Sequence, residues 1–364
     1  MSWFVGMFVM LVALIIGHIN YNIALGPIIK SSIGWAKGWA LLALFPFIGC
    51  LNIRSEVVIR ACCIIGLHTI CAVPIFVLAW AAGLPQVLYV SPIQAVGGPG
   101  PEFFMVSLYE IDPGSGLPRW RMFTPWAPAL GFVANVYLLC AVSEKNLRWK
   151  ILGIVGAILM ILMSQSRLGI VAAILVPSIT WGVSNISHPL MLFAGGIGTA
   201  VLGIIMSPLI RTADIVMTKF SEARADSSRV RAALGRIAVQ RWQSEAPIWG
   251  HGVVERGPHM VEYMPIGSHH TWYGLLFVKG IVGLGALLIP MILSFMELAV
   301  KSSRNKEARL GFGMLLMLFL YTFGENLEIL AYLIWPGFLF IGMGARSREC
   351  LHYKNEEKER LSEA

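Results

Sequence analysis

The chain has 364 residues, of which 57% are hydrophobic and 13% charged, and its mean hydropathy is +0.71. Soluble domains carry about 45–50% apolar and about 25% charged residues, so a bilayer is the expected solvent. The formal charge of +8 has no soluble basic domain to carry it, which argues against nucleic acid as a partner. In a membrane chain such charge belongs to loops, lipid headgroups and anionic substrates.

A membrane-crossing helix needs about 20 mostly apolar residues. In chain order, the segments 3–22, 36–53, 58–82, 126–143, 148–165, 167–184, 189–207, 268–298, 309–325 and 328–345 meet that rule. The first lacks a basic leader and a clear small-residue cleavage site, so it reads as a span rather than a signal peptide. The pair meeting at Ser164–Arg167 also reads as one long interrupted helix. The expected fold is all-α: a single polytopic membrane domain over 1–364, with about ten transmembrane helices. A Pro- and Gly-rich loop near 84–125 reads as irregular, with room for a short re-entrant piece. A larger loop near 207–267 is expected to be partly helical, opening on the amphipathic run ADIVMTKFSEARADSSRVRAALGRIAVQRWQSEAP. The tail near 346–364 reads as a solvated end.

Lys and Arg in short loops set orientation. With the N-terminus in the cytoplasm, 14 of the 28 basic residues fall in cytoplasmic segments, eight in the long loop and six elsewhere. Long loops translocate largely regardless of charge. The reading is therefore an inner-membrane protein with both termini in the cytoplasm and both large loops facing outward. Five of the six cysteines (Cys50, Cys62, Cys63, Cys71 and Cys140) lie in apolar runs and no CxxC occurs, so neither a disulfide framework nor a metal site is expected.

Four outward features could carry chemistry. Arg167, in LMSQSRLGIV, is either a snorkelling cation or a cation for an anionic group, since an Arg beside a span is costly. The loop helix carries Arg224, Arg229, Arg231, Arg236 and Arg241, with Glu222, Asp226 and Glu245 interleaved. Most of these read as a solvated face, with one or two able to grip a phosphate. His269 and His270, in SHHTWY with Tyr273, open a long span. On a helix, neighbours project about 100° apart and make a poor metal pair, whereas a boundary His suits general-base work. Neither His251 nor His259 completes a HExxH arrangement. Arg119 and Arg121, in LPRWRMFTPWAP, read equally as headgroup-binding cations or as substrate ligands. No Walker A or strand-bound GxGxxG occurs. Glu325 and Glu328 fall at an outer hairpin rather than at mid-bilayer, where a proton relay would need them.

From about Pro118 to Gly283 the chain resembles the bacterial O-antigen ligase and Wzy-type polysaccharide polymerase superfamily. HHTWYGLLFVKGIVGL is similar to that family's His-Asn, nine residues, Gly-x-x-Gly element, with His269 as the leading His, His270 in place of Asn, and Gly280 and Gly283 as the glycines. SQSRLG resembles its Ser-Arg element, with Arg167 as the Arg. SSRVRAALGRIAVQRWQSEAPIWGHG resembles its loop helix, starting at Arg229 or Arg231 and ending in Pro247-x-x-Gly250-x-Gly252. RWRMFTPWAPALG resembles the family's Arg-led stretch before a middle span. The resemblance implies a metal-independent inverting glycosyltransferase with no cofactor. Its donor would be an undecaprenyl-diphosphate-linked oligosaccharide and its acceptor a sugar hydroxyl at the periplasmic face. His269 is the expected general base. Arg167 with Arg229 or Arg231 would hold the diphosphate, and His270, Arg121 and Tyr273 would support them. Polymerase of surface-polysaccharide repeats is the leading reading, and ligase acting on a lipid A–core acceptor the close alternative. A lipid-linked glycan flippase is a more distant one.

Overall fold

The computed structural model describes residues 1–96, 100–112, 116–186, 225–261 and 263–346, with scattered positions between 188 and 199. Within them the chain is mostly helical. The helices are Ser2–Asn20 (α1), Leu25–Lys37 (α2), Leu41–Gly49 (α3), Ser55–Ala81 (α4), Ala127–Ser143 (α5), Leu147–Ser164 (α6), Arg167–Ser184 (α7), Ala225–Glu245 (α8), Thr271–Ser302 (α9), Lys306–Tyr321 (α10), Leu327–Leu330 (α11) and Trp335–Arg346 (α12). Among the described residues, six segments are long and apolar enough to cross a membrane: α1, α2 with α3, α4, α6, α7 and α9. Helices α5, α10 and α12 coincide with expected segments but are shorter. The expected segment 189–207 falls largely outside the described residues, as does the start of the loop helix before Ala225.

Three local readings change. The segment expected at 36–53 begins earlier and is two helices, α2 and α3, with a turn between them. The Ser164–Arg167 join is a break between two helices: Gln165 takes the left-handed conformation (φ 49°) and Ser166 caps α7 by accepting from the Gly169 N–H at 3.1 Å. The first loop is not wholly irregular. Val87–Val90 (β1) pairs antiparallel with Met105–Ser107 (β2), and Glu110–Ile111 (β3) with Pro118–Arg119 (β4).

Helix α5 is apolar nearly all round and is buried along almost its whole length, as such a helix must be. Lipid tails are as apolar as leucine, so helices in a bilayer associate through close packing and interhelical hydrogen bonds. Both are present here. A Cβ on Gly156 of α6 would lie 2.3 Å from the Gly66 carbonyl of α4, so those backbones touch. Buried Asn135 of α5 donates to the Gly131 carbonyl at 2.7 Å and across to the Gly169 carbonyl of α7 at 2.9 Å.

The two ends of the bundle differ in chemistry. At one end Arg60 grips Glu144 through two bonds of 2.8 and 2.9 Å. There Lys145 pairs with Glu56, Ser55 donates to Glu307, and Arg346 donates to the Leu51 carbonyl. This end holds short-loop charges assigned above to the cytoplasm. The other end gathers the first loop, the α6–α7 turn, the start of α9 and the turn after α10. Gln165 donates to the Pro118 carbonyl at 2.7 Å, and the Trp120 N–H to the Met163 carbonyl at 3.0 Å.

Helix α9 breaks at Gly280 (φ 63°). A break inside a span frees backbone groups that lipid cannot satisfy. The segment 247–252 supplies their partners: Ile281 and Val282 N–H donate to the Pro247 and Ile248 carbonyls at 3.0 and 3.3 Å. In return His251 and Gly252 N–H donate to the Phe277 and Val278 carbonyls, both at 2.9 Å. A Cβ on Gly250 would stand 2.4 Å from the Lys279 nitrogen. The Pro-x-x-Gly-x-Gly and Gly-x-x-Gly elements, far apart in sequence, are two halves of one backbone joint.

Candidate functional site

The joint fixes α8 and the start of α9 against each other. Arg241 near the end of α8 binds Glu245 and Glu255, and its guanidinium sits 5.1 Å from the Phe277 ring centre. Arg241, with the hydrogen bond that Glu245 accepts from His251, holds the Glu245 carboxyl down at about 2. His251 is buried, one ring nitrogen 2.9 Å from the Phe277 carbonyl and the other 2.8 Å from Glu245. Arg241 and His251 are therefore occupied in holding the loop to α9.

His269 and His270 do not lie on the helix. They end the turn that precedes α9, and His270 is its N-cap in an extended conformation (φ −156°, ψ 112°). The 100° helical separation expected for the pair does not apply, because a Gly267-led turn precedes the first helical residue. What separates them is packing. The His270 ring stacks on Tyr273 with centroids 3.9 Å apart and meets Phe323 edge-on at 5.7 Å. Tyr273 in turn lies against α8, where a Cβ on Gly235 would stand 2.7 Å from its ring. His270 and Tyr273 thus form a clamp between α8 and α9. His269 is half-buried, and burial together with the Arg231 charge lowers its pKa to about 4. Burial does the same to His270.

Arg229 and Arg231 are both exposed on α8. Two residues apart on a helix they point about 200° apart, so they face different surroundings. It is Arg231 whose charge acts on His269. The same guanidinium acts on Glu325, a residue set aside in the sequence reading. Glu325 is only 5% exposed and accepts a hydrogen bond from Trp126 Nε1 at 3.0 Å. Burial raises its pKa to about 7, against the opposing Arg231 charge and the Trp126 bond. Its turn is bolted to the His pair: Thr271 Oγ1 donates to the Glu325 carbonyl at 2.7 Å and Trp272 Nε1 to Thr322 Oγ1 at 2.8 Å.

Arg167 is the first residue of α7 and is half-buried. A Cβ on Gly324 would touch its neighbour Leu168 at 2.9 Å, so the start of α7 borders the Glu325 turn. Arg167, Arg231, His269 and Glu325 therefore share one end of the bundle. Arg121 is assigned elsewhere. It is buried, 3.3 Å from Glu110, and donates to the Pro125 carbonyl at 2.7 Å, so it braces the first loop. Arg119 does likewise with Glu110 and Asp112. Among the described residues no three His, Cys, Asp or Glu side chains gather as a metal site would require.

Glu325 carried one readable signal: an acid between two apolar helices at the same boundary as the histidines. Its burial and its approach to Arg231 depend on how α5, α8 and α10 converge. Comparison with protein-family models and with characterised proteins returns no match.

Proposed function

We propose that the protein is a membrane glycosyltransferase that moves a glycan from an undecaprenyl-diphosphate carrier to an acceptor hydroxyl on the periplasmic side of the inner membrane. The observation that carries this reading is that the Arg231 charge acts on both His269 and Glu325, at the end of the bundle where α7 starts. A guanidinium, an imidazole and a protonatable carboxyl stand there at one end of a bundle of apolar helices. A lipid-linked diphosphate lies at the depth where such helices end.

In the reaction, neutral His269 takes the proton of the acceptor hydroxyl. The oxygen forms its bond to the anomeric carbon as the bond to the diphosphate oxygen breaks on the opposite face, inverting the centre. The electron pair leaves with undecaprenyl diphosphate, whose growing charge Arg231 and Arg167 stabilise as fixed donors. With its pKa lowered to about 4 by burial and the Arg231 charge, His269 is neutral near pH 7 and free to accept that proton.

Polymerisation of surface-polysaccharide repeats is the leading form of this activity, and ligation onto lipid A–core the alternative. Purified protein incubated with a defined lipid-linked repeat tests both. Products longer than one repeat support polymerase, single transfer onto lipid A–core supports ligase, and no transfer with either acceptor removes the proposal. Retention of activity in EDTA is expected. Orientation is tested at Val254, which is exposed in the second loop. A cysteine there should react with an impermeant reagent without the inner membrane being breached.

A further inference from the structure

The first loop carries an apolar ribbon that the reaction does not use. All four side chains of β1, Val87, Leu88, Tyr89 and Val90, are exposed, as are Val106 of β2 and Ile93 beyond the strand. A sheet in contact with water normally hides one face and offers a polar one, and an isolated two-stranded ribbon is marginal in water. Here both faces of β1 are apolar, and among the described residues none covers either face.

Two independent observations say what covers it. The first is sequence: between Arg60 and Glu102 there is no Asp, Glu, Lys or Arg. The charge-free stretch thus outlasts α4, which ends at Ala81, and runs through β1. The second is attachment. The ribbon's root is fixed to the last turns of α4. Leu108 and Tyr109 pack with Ala79, Phe76 and Trp120, the Tyr109 hydroxyl donates to the Leu84 carbonyl at 2.7 Å, and the Leu108 N–H to the Gln86 carbonyl at 2.8 Å. Those last turns expose Ile75, Leu78 and Trp80, so the apolar surface of α4 continues into the ribbon with no charged residue between them.

We propose that the β1–β2 ribbon lies in the lipid bilayer, at the boundary between headgroups and acyl chains of the leaflet on the loop-bearing side. Tyr89 suits that depth, since its ring is apolar and its hydroxyl reaches water. The absence of charge on the ribbon makes the contact one with the apolar part of the lipid, so it does not require anionic headgroups. The ribbon also borders the candidate site: Phe103, just before β2, meets Trp126 edge-on at 6.0 Å, and Trp126 holds Glu325.

The test uses the full-length protein in nanodiscs of zwitterionic phospholipid. A single cysteine at Leu88 or Ile93 carries an environment-sensitive fluorophore, and one at Val254 serves as reference. Blue-shifted emission at 88 and 93, quenched by doxyl-labelled lipid and shielded from iodide, is expected, with the reverse at 254. Water-like emission at 88 and 93 that iodide quenches as at 254 overturns the proposal. So does blue-shifted emission insensitive to doxyl lipid, which would mean that protein covers the ribbon. A label-free measurement guards against disturbance by the fluorophore: amide exchange at 87–90 should be slower in nanodiscs than in detergent-free amphipol, and equal exchange refutes membrane contact.

Discussion

Glu325→Gln isolates the buried carboxyl at the candidate site while keeping an oxygen that can accept from Trp126. A donor diphosphate bound at Arg231 brings negative charge toward Glu325, so binding favours the neutral acid. With a pKa of about 7, roughly nine-tenths of Glu325 is neutral at pH 6 and roughly one-tenth at pH 8, by ordinary single-site titration. Donor affinity should therefore fall about tenfold between those values. His269 and His270, both lowered to about 4, do not titrate in that window. A diphosphate esterified at both ends does not either. Titration of a short-chain polyprenyl-diphosphate sugar onto the purified protein at pH 6, 7 and 8 measures the slope, and Glu325→Gln should flatten it. Stability moves in the matching sense. The folded pKa is raised above the usual 4.5, so the contribution is complete below pH 4.5 and is lost as pH rises through about 7. The loss is about 3 kcal/mol at most. Glu325→Gln should thus melt higher than the parent at pH 8 and with it at pH 4.5. Affinity that is level from pH 6 to 8 in the parent, or a slope that survives in the variant, refutes the reasoning.

Other outcomes follow from the same geometry. His269→Ala should lower transfer by about 10²–10⁴, the range for general-base loss, with donor binding kept; His270→Asn should retain most activity, since an amide can still cap α9, and the reverse ranking in a transfer assay would exchange their roles. Arg231→Ala should weaken donor binding far more than Arg229→Ala, read by the same titration, because Arg231 acts on both His269 and Glu325. Arg167→Lys should be impaired as well as Arg167→Ala at normal expression, because a point charge lacks the guanidinium fork. Gly250→Ala should destabilise by about 2–4 kcal/mol, combining overpacking with a left-handed backbone, and an unchanged melting temperature would show that the α9 joint is not what fixes the loop.

Much was legible without coordinates. Apolar content, run length and the scarcity of charge determined that this is a helical chain for a bilayer, because those quantities set solvent preference residue by residue. The order of the Arg and His elements also pointed to one end of the bundle, and the structure brings Arg231, His269 and the start of α7 there. Tertiary structure alone decided the finer points. The His pair sits on a turn because Gly267 closes against Gly274 of α9 while Thr271 docks against the turn after α10, which no periodicity encodes. Arg121 resembled a substrate cation until Glu110 and the Pro125 carbonyl were seen to occupy it, and Arg229 and Arg231 were equivalent until the direction of α8 separated them. Glu325 is the sharpest case. Its charge state depends on desolvation and on a guanidinium nearly a hundred residues away in sequence. Composition and spacing record which groups a chain owns, but a pKa depends on distances, and those exist only after folding.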